Sequence, residues 1–274
     1  MRNIILVIVV VAVAAYIFMV IKKNREASAP QYIEQPVTLN PPEAEQPQKP
    51  PPVKYPVTAV EPEPAPVQEE EPAPEPEPLP ALDDSDDALL AGLADLSGET
   101  QWGELFLIKS MVRHFVVTID NMTAKKLPQK FRLTPQMPGK FLVQKTGDDS
   151  LVIDPENYAR YETYVRLVET IDLKKLAVLY KHYYPLFQKA YEDLGYPGRY
   201  FNDRLIEVID HLLKAPVIRE PIELRQPKVF YVFAAPELES LSAGQKLMVR
   251  IGPDNAARVK TRLRVLRELL TGVR

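Results

Sequence analysis

DLKKLAVLYKHYYPLFQKAYEDLGYPGRYFNDRLIEVIDHLL, residues 172–213, carries two apolar periodicities separated by a turn, and its reading decides the fold. Leu173, Leu176, Ala177, Tyr180, Tyr184, Phe187, Tyr191 and Leu194 recur at three- and four-residue steps, which is one face of a helix. Asp172 supplies a cap, and Gly195 supplies the stop, because a residue after a helix often needs positive φ. Pro185 has no N–H to give and predicts a kink near Tyr180 to Tyr184. Gly195-Tyr196-Pro197-Gly198 then reads as a turn. A second helix follows from about Asn202, with Leu205, Ile206, Ile209, Leu212 and Leu213 facing inward and Pro216 closing it. The expectation is an antiparallel helical hairpin on which the remaining segments pack.

Working outward, the fold class is mainly α with a minor β component, a small hairpin and one short strand. Ser85 caps a short helix with a Leu89, Leu90, Leu93 and Leu96 stripe. Trp102, Leu105, Ile108, Val112, Phe115 and Ile119 repeat at helical spacing, while Val116-Val117-Thr118 leaves a strand as rival for that segment's end. Phe141 to Lys145 and Leu151 to Ile153 alternate around Thr146-Gly147-Asp148-Asp149, a hairpin pattern. Asp154-Pro155 opens one helix carrying Tyr158, Tyr161, Tyr164, Val165 and Val168. Residues 215–228 read as an extended connection and Val229 to Phe233 as a strand. Pro236 begins a short helix, Ser242 caps another through Ile251, and a last helix restarts at Gly252-Pro253-Asp254. That helix sets Val259, Leu263, Leu266 and Leu270 on one side and Arg258, Arg262, Arg264 and Arg267 around it.

Composition divides the chain of 274 residues into a flank (1–3), a transmembrane helix (4–21), a disordered Pro/Glu-rich linker (22–80) and an α-rich globular domain (81–274). Ile4 to Ile21 is an unbroken run of 18 apolar residues. At 1.5 Å per residue it reaches roughly 27 Å, the thickness of a bilayer's hydrocarbon, and is the expected contact with the membrane. Ala27-Ser28-Ala29 resembles a signal-peptidase site, but Lys22, Lys23 and Arg25 intervene and Pro30 would follow the cut, so the anchor is read as retained. Positive charges near the run slightly favour a cytoplasmic carboxyl end. The overall plan of anchor, long spacer and terminal domain is that of single-pass envelope proteins, and on that analogy the domain is placed in the periplasm.

Charge follows the same division. Residues 1–98 hold 6 basic and 16 acidic residues, whereas 99–274 hold 28 and 21, so the net charge of -3 sums an acidic spacer and a basic domain. More than half of the chain's 28 prolines lie between Pro30 and Pro80, with hardly an aromatic among them, so no core forms there and polyproline II is favoured. The spacer reads as a boom, or else as an inert linker.

Chemical motifs are few. There is no cysteine, which removes disulfides, thiolate metal sites and cysteine nucleophiles. No G-x-S-x-G, phosphate-binding glycine loop or H-E-x-x-H occurs. Glu207 and His211 stand four apart on a helix near Asp203 and Asp210, a spacing compatible with an acid-base pair but equally with a solvated, salt-bridged face. We assign no catalytic, cofactor-binding or metal residues and expect no cofactor. Nine of the 13 tyrosines fall between Tyr158 and Tyr200. Those on the apolar faces are read as core, and those at the turn as exposed recognition groups. The candidate partner-binding residues are therefore Tyr196, Tyr200, Phe201, Asn202 and Arg204, facing a protein or other envelope component. Nucleic acid is not an expected partner, since no nucleic-acid motif accompanies the basic last helix.

Five phrases carry a resemblance: Asn157-Tyr158-Ala159-Arg160-Tyr161, Tyr183 to Tyr191 (YYPLFQKAY), Leu194-Gly195-Tyr196-Pro197, Phe201-Asn202-Asp203-Arg204-Leu205 and Ala243-Gly244-Gln245-Lys246. By these the chain resembles a bacterial family of membrane-anchored proteins catalogued as domain-of-unknown-function family 3014, over about Ser85 to the end. The resemblance implies a bacterial host and supports the plan of anchor, spacer and domain; it implies no activity. The expected function is a single-pass envelope protein presenting a periplasmic binding or scaffolding module. The rival is an enzyme acting on an envelope component through the acidic residues and histidine of the helix from Asn202 to Leu213.

Overall fold

The computed structural model describes residues 51–57, 78–97, 105–135, 139–147, 150–219 and 221–272. The expected transmembrane helix at 4–21 lies outside these residues, and among those described no helix is long and apolar enough to cross a membrane. The described protein is mainly helical. Nine α-helices occur among the described residues: α1 (Asp86–Ser97), α2 (Met111–Asn121), α3 (Glu156–Ala159), α4 (Glu162–Thr170), α5 (Leu173–Asp193), α6 (Phe201–Leu213), α7 (Pro236–Ser240), α8 (Ala243–Arg250) and α9 (Pro253–Thr271). Four short strands accompany them: β1 (Val143–Lys145), β2 (Leu151–Ile153), β3 (Glu223–Arg225) and β4 (Val232–Phe233).

The helical hairpin forms as its local signals dictate. Asp172 Oδ1 accepts the N–H groups of Lys174 and Lys175 at 2.9 and 3.1 Å, satisfying donors that the first turn of α5 leaves without intrahelical partners. Gly195 takes φ 110°, a conformation open to glycine and costly for residues with a Cβ, and the chain reverses there. Helix α5 runs unbroken through Pro185. Its apolar face and that of α6 bury Leu176, Tyr180, Phe187, Leu205, Ile206 and Ile209 in a core shared with α1, α2, α4 and α9. Phe187 is stacked on Phe201 at 5.9 Å between ring centres, and Phe115 of α2 meets both edge-on. Helix α9 lies against α4, α5 and α6, burying the expected Val259, Leu263, Leu266 and Leu270.

Three elements differ from the sequence reading. Helix α2 starts only at Met111, because Ser110 is held at φ 52° by Asp86 of α1, whose carboxylate accepts the N–H groups of Ser110 and Met111 at 2.6 and 2.8 Å. The single helix expected after Asp154 breaks into α3 and α4 at Arg160-Tyr161. The extended connection contains β3, so hairpin and strand join as one antiparallel sheet in the order β1-β2-β3-β4. Ile153, Ile222, Leu224, Phe233 and Val249 form a small second core under this sheet. Residues 116–118 are helical, which resolves their rivalry with a strand.

Four of the five resembling phrases fall at joints between elements, while Tyr183 to Tyr191 lies within α5. Asn157, fully buried, donates to the Leu142 carbonyl and accepts the Leu142 N–H, fixing the sheet to α3. A Cβ at Gly244 would stand 2.6 Å from a Leu212 methyl and 3.0 Å from the Met122 carbonyl oxygen. Glycine there lets α8 approach α6 and the end of α2, where Gly244 N–H donates to Met122 O.

Candidate functional site

The turn between α5 and α6 is held from below by one side chain. Gln188 of α5 accepts the Phe201 N–H and the Tyr184 hydroxyl, while its amide donates to the Arg199 carbonyl. Burial pushes the Tyr184 phenol up to about 12, so it stays a neutral donor throughout the ordinary pH range. Above this support the Tyr196 ring stacks on Tyr191, 4.7 Å between centres, and its hydroxyl donates to Asp120 at the end of α2. The Asp120 charge raises the Tyr196 phenol's pKa, and Arg199 stands 5.9 Å from the ring centre.

Arg204 ties the same corner together. Its guanidinium donates to the Asp120 carboxylate at 2.9 Å, to the Asp120 carbonyl and to the Thr123 hydroxyl, and it pairs with Glu207 one turn on. Burial works against its charge, but the pairs with Glu207 and Asp120 outweigh burial and raise its pKa. A groove of about 1000 Å³ opens here. Tyr196, Pro197 and Tyr200 line it from the turn, Asp203, Arg204 and Glu207 from α6, and Asp120 from α2. Another wall is Pro51, Pro52, Lys54 and Tyr55, a piece of the stretch read as spacer.

That piece is bound to the domain. Asp203 Oδ2 accepts the Lys54 N–H at 3.0 Å and its Oδ1 accepts the Tyr55 N–H at 2.8 Å. The Asn202 amide donates to the Tyr55 carbonyl at 2.8 Å, and its oxygen accepts the buried Tyr180 hydroxyl. Tyr55 packs partly buried against the main core. The disordered linker expected over 22–80 is thus corrected at 51–57. Prolines at 51, 52 and 56 restrict the backbone on either side of a bend at Lys54 and Tyr55, and the two N–H groups that Asp203 takes lie at that bend.

The five residues expected to face a partner are brought to one corner but do different work. Tyr196 and Tyr200, half-buried, line the groove, as does Arg204. Phe201 does not: it is fully buried between Phe187, Phe115 and Tyr191, because the residue that starts α6 points under the turn into the core. Asn202 is equally buried, and its amide meets the spacer backbone instead of solvent. Asp120 and Tyr55 were missed as site residues. Tyr55 had one signal, being one of two aromatics between Pro30 and Pro80.

The residues of the acid-base reading disperse. Asp203 takes the two spacer N–H groups, Glu207 pairs with Arg204, and His211 Nε2 lies 2.7 Å from the Ser242 hydroxyl that caps α8. Burial, then the charges of Arg204 and Lys214, lower the His211 pKa. Among the described residues no group of three or more His, Asp or Glu is placed to hold a metal ion. Three of the four arginines of the basic last helix likewise find their partners within the protein. Arg258 pairs with Glu162 at 2.8 Å and with Glu169, Arg262 donates to the Val168 and Ile171 carbonyls, and Arg267 pairs with Asp210.

Comparison with known proteins finds one family. No curated protein and no solved structure matches the chain. The family described as "Protein of unknown function (DUF3014)" matches residues 111–267, from the start of α2 to the last turns of α9. That span covers more than half of the chain and contains α5, α6, their turn and Asp120, and on it we conclude that the chain belongs to the DUF3014 family.

Proposed function

We propose that this protein is a single-pass bacterial envelope protein, anchored in the inner membrane through Ile4 to Ile21, whose α-rich domain serves in the periplasm as a binding or scaffolding module. The observation that carries the binding reading is the groove at the α5–α6 turn. It combines exposed proline and half-buried tyrosine with an arginine held by Asp120 on a turn held by Gln188, and few convergent polar groups in a concave, partly apolar site are what a recognition surface requires. The anchor reading rests on the apolar run and the proline-rich stretch that follows it. No observation favours the enzymatic alternative, whose acids and base are each engaged by a separate neighbour.

Two experiments test this. Alkaline phosphatase fused to the carboxyl end should be active in cells and a cytoplasmic reporter inactive; the reverse pattern rejects the periplasmic placement. A photo-crosslinking amino acid at Tyr200, in the groove, should trap a discrete partner that the same group at Val265, exposed on α9, does not. Equal trapping at both positions rejects the groove as contact surface. Tyr200 is a cleaner position than Arg204, whose removal would also release α6 from α2.

A further inference from the structure

We infer that Asn202 and Asp203 form a peptide-binding clamp on α6, and that its ligand is the chain's own tether, residues 51–57, held as a releasable latch. The clamp addresses backbone. One carboxylate takes two consecutive N–H groups and the adjoining amide donates to the following carbonyl, so three polar backbone groups of Lys54 and Tyr55 are satisfied by two neighbouring side chains. Asp203 sits in the first turn of α6, where the positive end of the helix dipole favours its charge. Asn202 is oriented by the buried Tyr180 hydroxyl, so the clamp stands ready whether or not the tether is in it.

The ligand class follows from the contacts. It is a segment bent at two consecutive non-proline residues, so that both N–H groups turn to one side, the second of them aromatic and followed by proline. Proline before and after the pair restricts the free segment and lowers the ordering entropy that docking must offset. The aromatic ring adds apolar contact against the core. Pro51-Pro52-Val53-Lys54-Tyr55-Pro56-Val57 meets each condition. Twenty residues, 58–77, connect it to the described start of the domain, a linkage short enough to hold the segment at an effective concentration on the order of millimolar. A clamp with modest intrinsic affinity is therefore filled in cis.

Latching changes reach, a consequence that rests on the anchored reading above. With the latch closed, 29 residues (22–50) separate the anchor from the clamp; with it open, 56 residues (22–77) separate the anchor from the described start of the domain.

The test uses the full chain in detergent micelles and a fluorescent peptide of sequence PPVKYPV. In the chain carrying Val53→Gly, Lys54→Ser and Tyr55→Gly, the peptide should bind saturably, at least tenfold tighter than to the unsubstituted chain, and Asp203→Asn added to that variant should abolish binding. Hydrogen exchange in the unsubstituted chain should show the Lys54 and Tyr55 amides protected, and Asp203→Asn should remove that protection while α5 and α6 stay protected. Failure of the latch variant to bind the peptide, or binding indifferent to Asp203→Asn, overturns the clamp. A unsubstituted chain that is dimeric, and monomeric once the latch is substituted, overturns the cis assignment in favour of exchange between copies. These outcomes do not depend on topology or on a partner, so a clamp that works in a protein trapping nothing at Tyr200 rejects the proposed function and leaves the latch standing.

Discussion

The α5–α6 corner and the α4–α9 seam are both built from arginine–carboxylate pairs between elements distant in sequence, yet only one leaves room beside them. At the seam Arg258 is divided between Glu162 and Glu169, and Arg262 caps the carbonyls at the end of α4; the arginines face their own protein. At the corner Arg204 is held by Asp120 from below, and a groove stays open above it, walled by a segment that belongs to the tether. The lesson concerns what a charged stripe means. Four arginines around α9 resemble a surface for an acidic partner, but carboxylates and carbonyls placed opposite them by folding use up three. The plainer turn, two arginines among tyrosines, carries the accessible groove.

The comparison can be broken most forcefully at Phe201. If this residue is packing and not a contact, Phe201→Ala should cost about 3–5 kcal/mol in urea unfolding, as for other fully buried aromatics. A loss below about 1 kcal/mol would return Phe201 to the surface. Next comes the seam. Arg258→Ala should cost about 1–2 kcal/mol, the range for charge-assisted bonds reduced by the partial exposure of both partners. It should also flatten the acid limb of stability. Hydrogen bonds from Arg258 hold the Glu162 and Glu169 carboxyls below the usual range. Their stabilisation is therefore present above the unfolded-state pKa, about 4.3, and is lost as pH falls through the lower folded values. A variant with an unchanged acid limb would show that the seam contributes nothing by charge.

At the corner, Asp203→Asn should cost under about 1 kcal/mol of global stability, since it releases only a short exposed segment, while the exchange of the Lys54 and Tyr55 amides accelerates many-fold. A global loss as large as that at Phe201 would make the tether part of the core. The smallest effect belongs to His211. Burial lowers its pKa, so the unfolded chain takes up a proton first, and stability falls as pH drops from the unfolded value near 6.5 to the folded one. His211→Gln should reduce that slope, leaving the remainder to His114, which burial lowers in the same sense. Equal slopes in titrated thermal melts would remove His211 as a contributor.

How much of this was legible beforehand divides by the range of the interaction. The α5–turn–α6 hairpin could be read because Asp172 caps its own helix two and three residues on and Gly195 meets a local need for positive φ. The face of α9 was readable because its period is set within one helix. The site was half legible: tyrosines at a turn predict exposure, and Tyr196 and Tyr200 do line the groove. Phe201 misled because a residue at a helix start belongs by sequence to the turn and by direction to the core.

What the sequence by itself determined is most of the helices, the caps of α5 and α8, the turn that bears the groove and the apolar face of the long helices, since all of these rest on spacings of one to four residues. Tertiary structure alone decided that Asp86 starts a helix 25 residues away, that Asp120 anchors Arg204 across 84, and that Tyr55 returns across 148 to Asp203. Such pairings leave no period along the chain, because a carboxylate and its distant donor meet only after the apolar faces between them have packed.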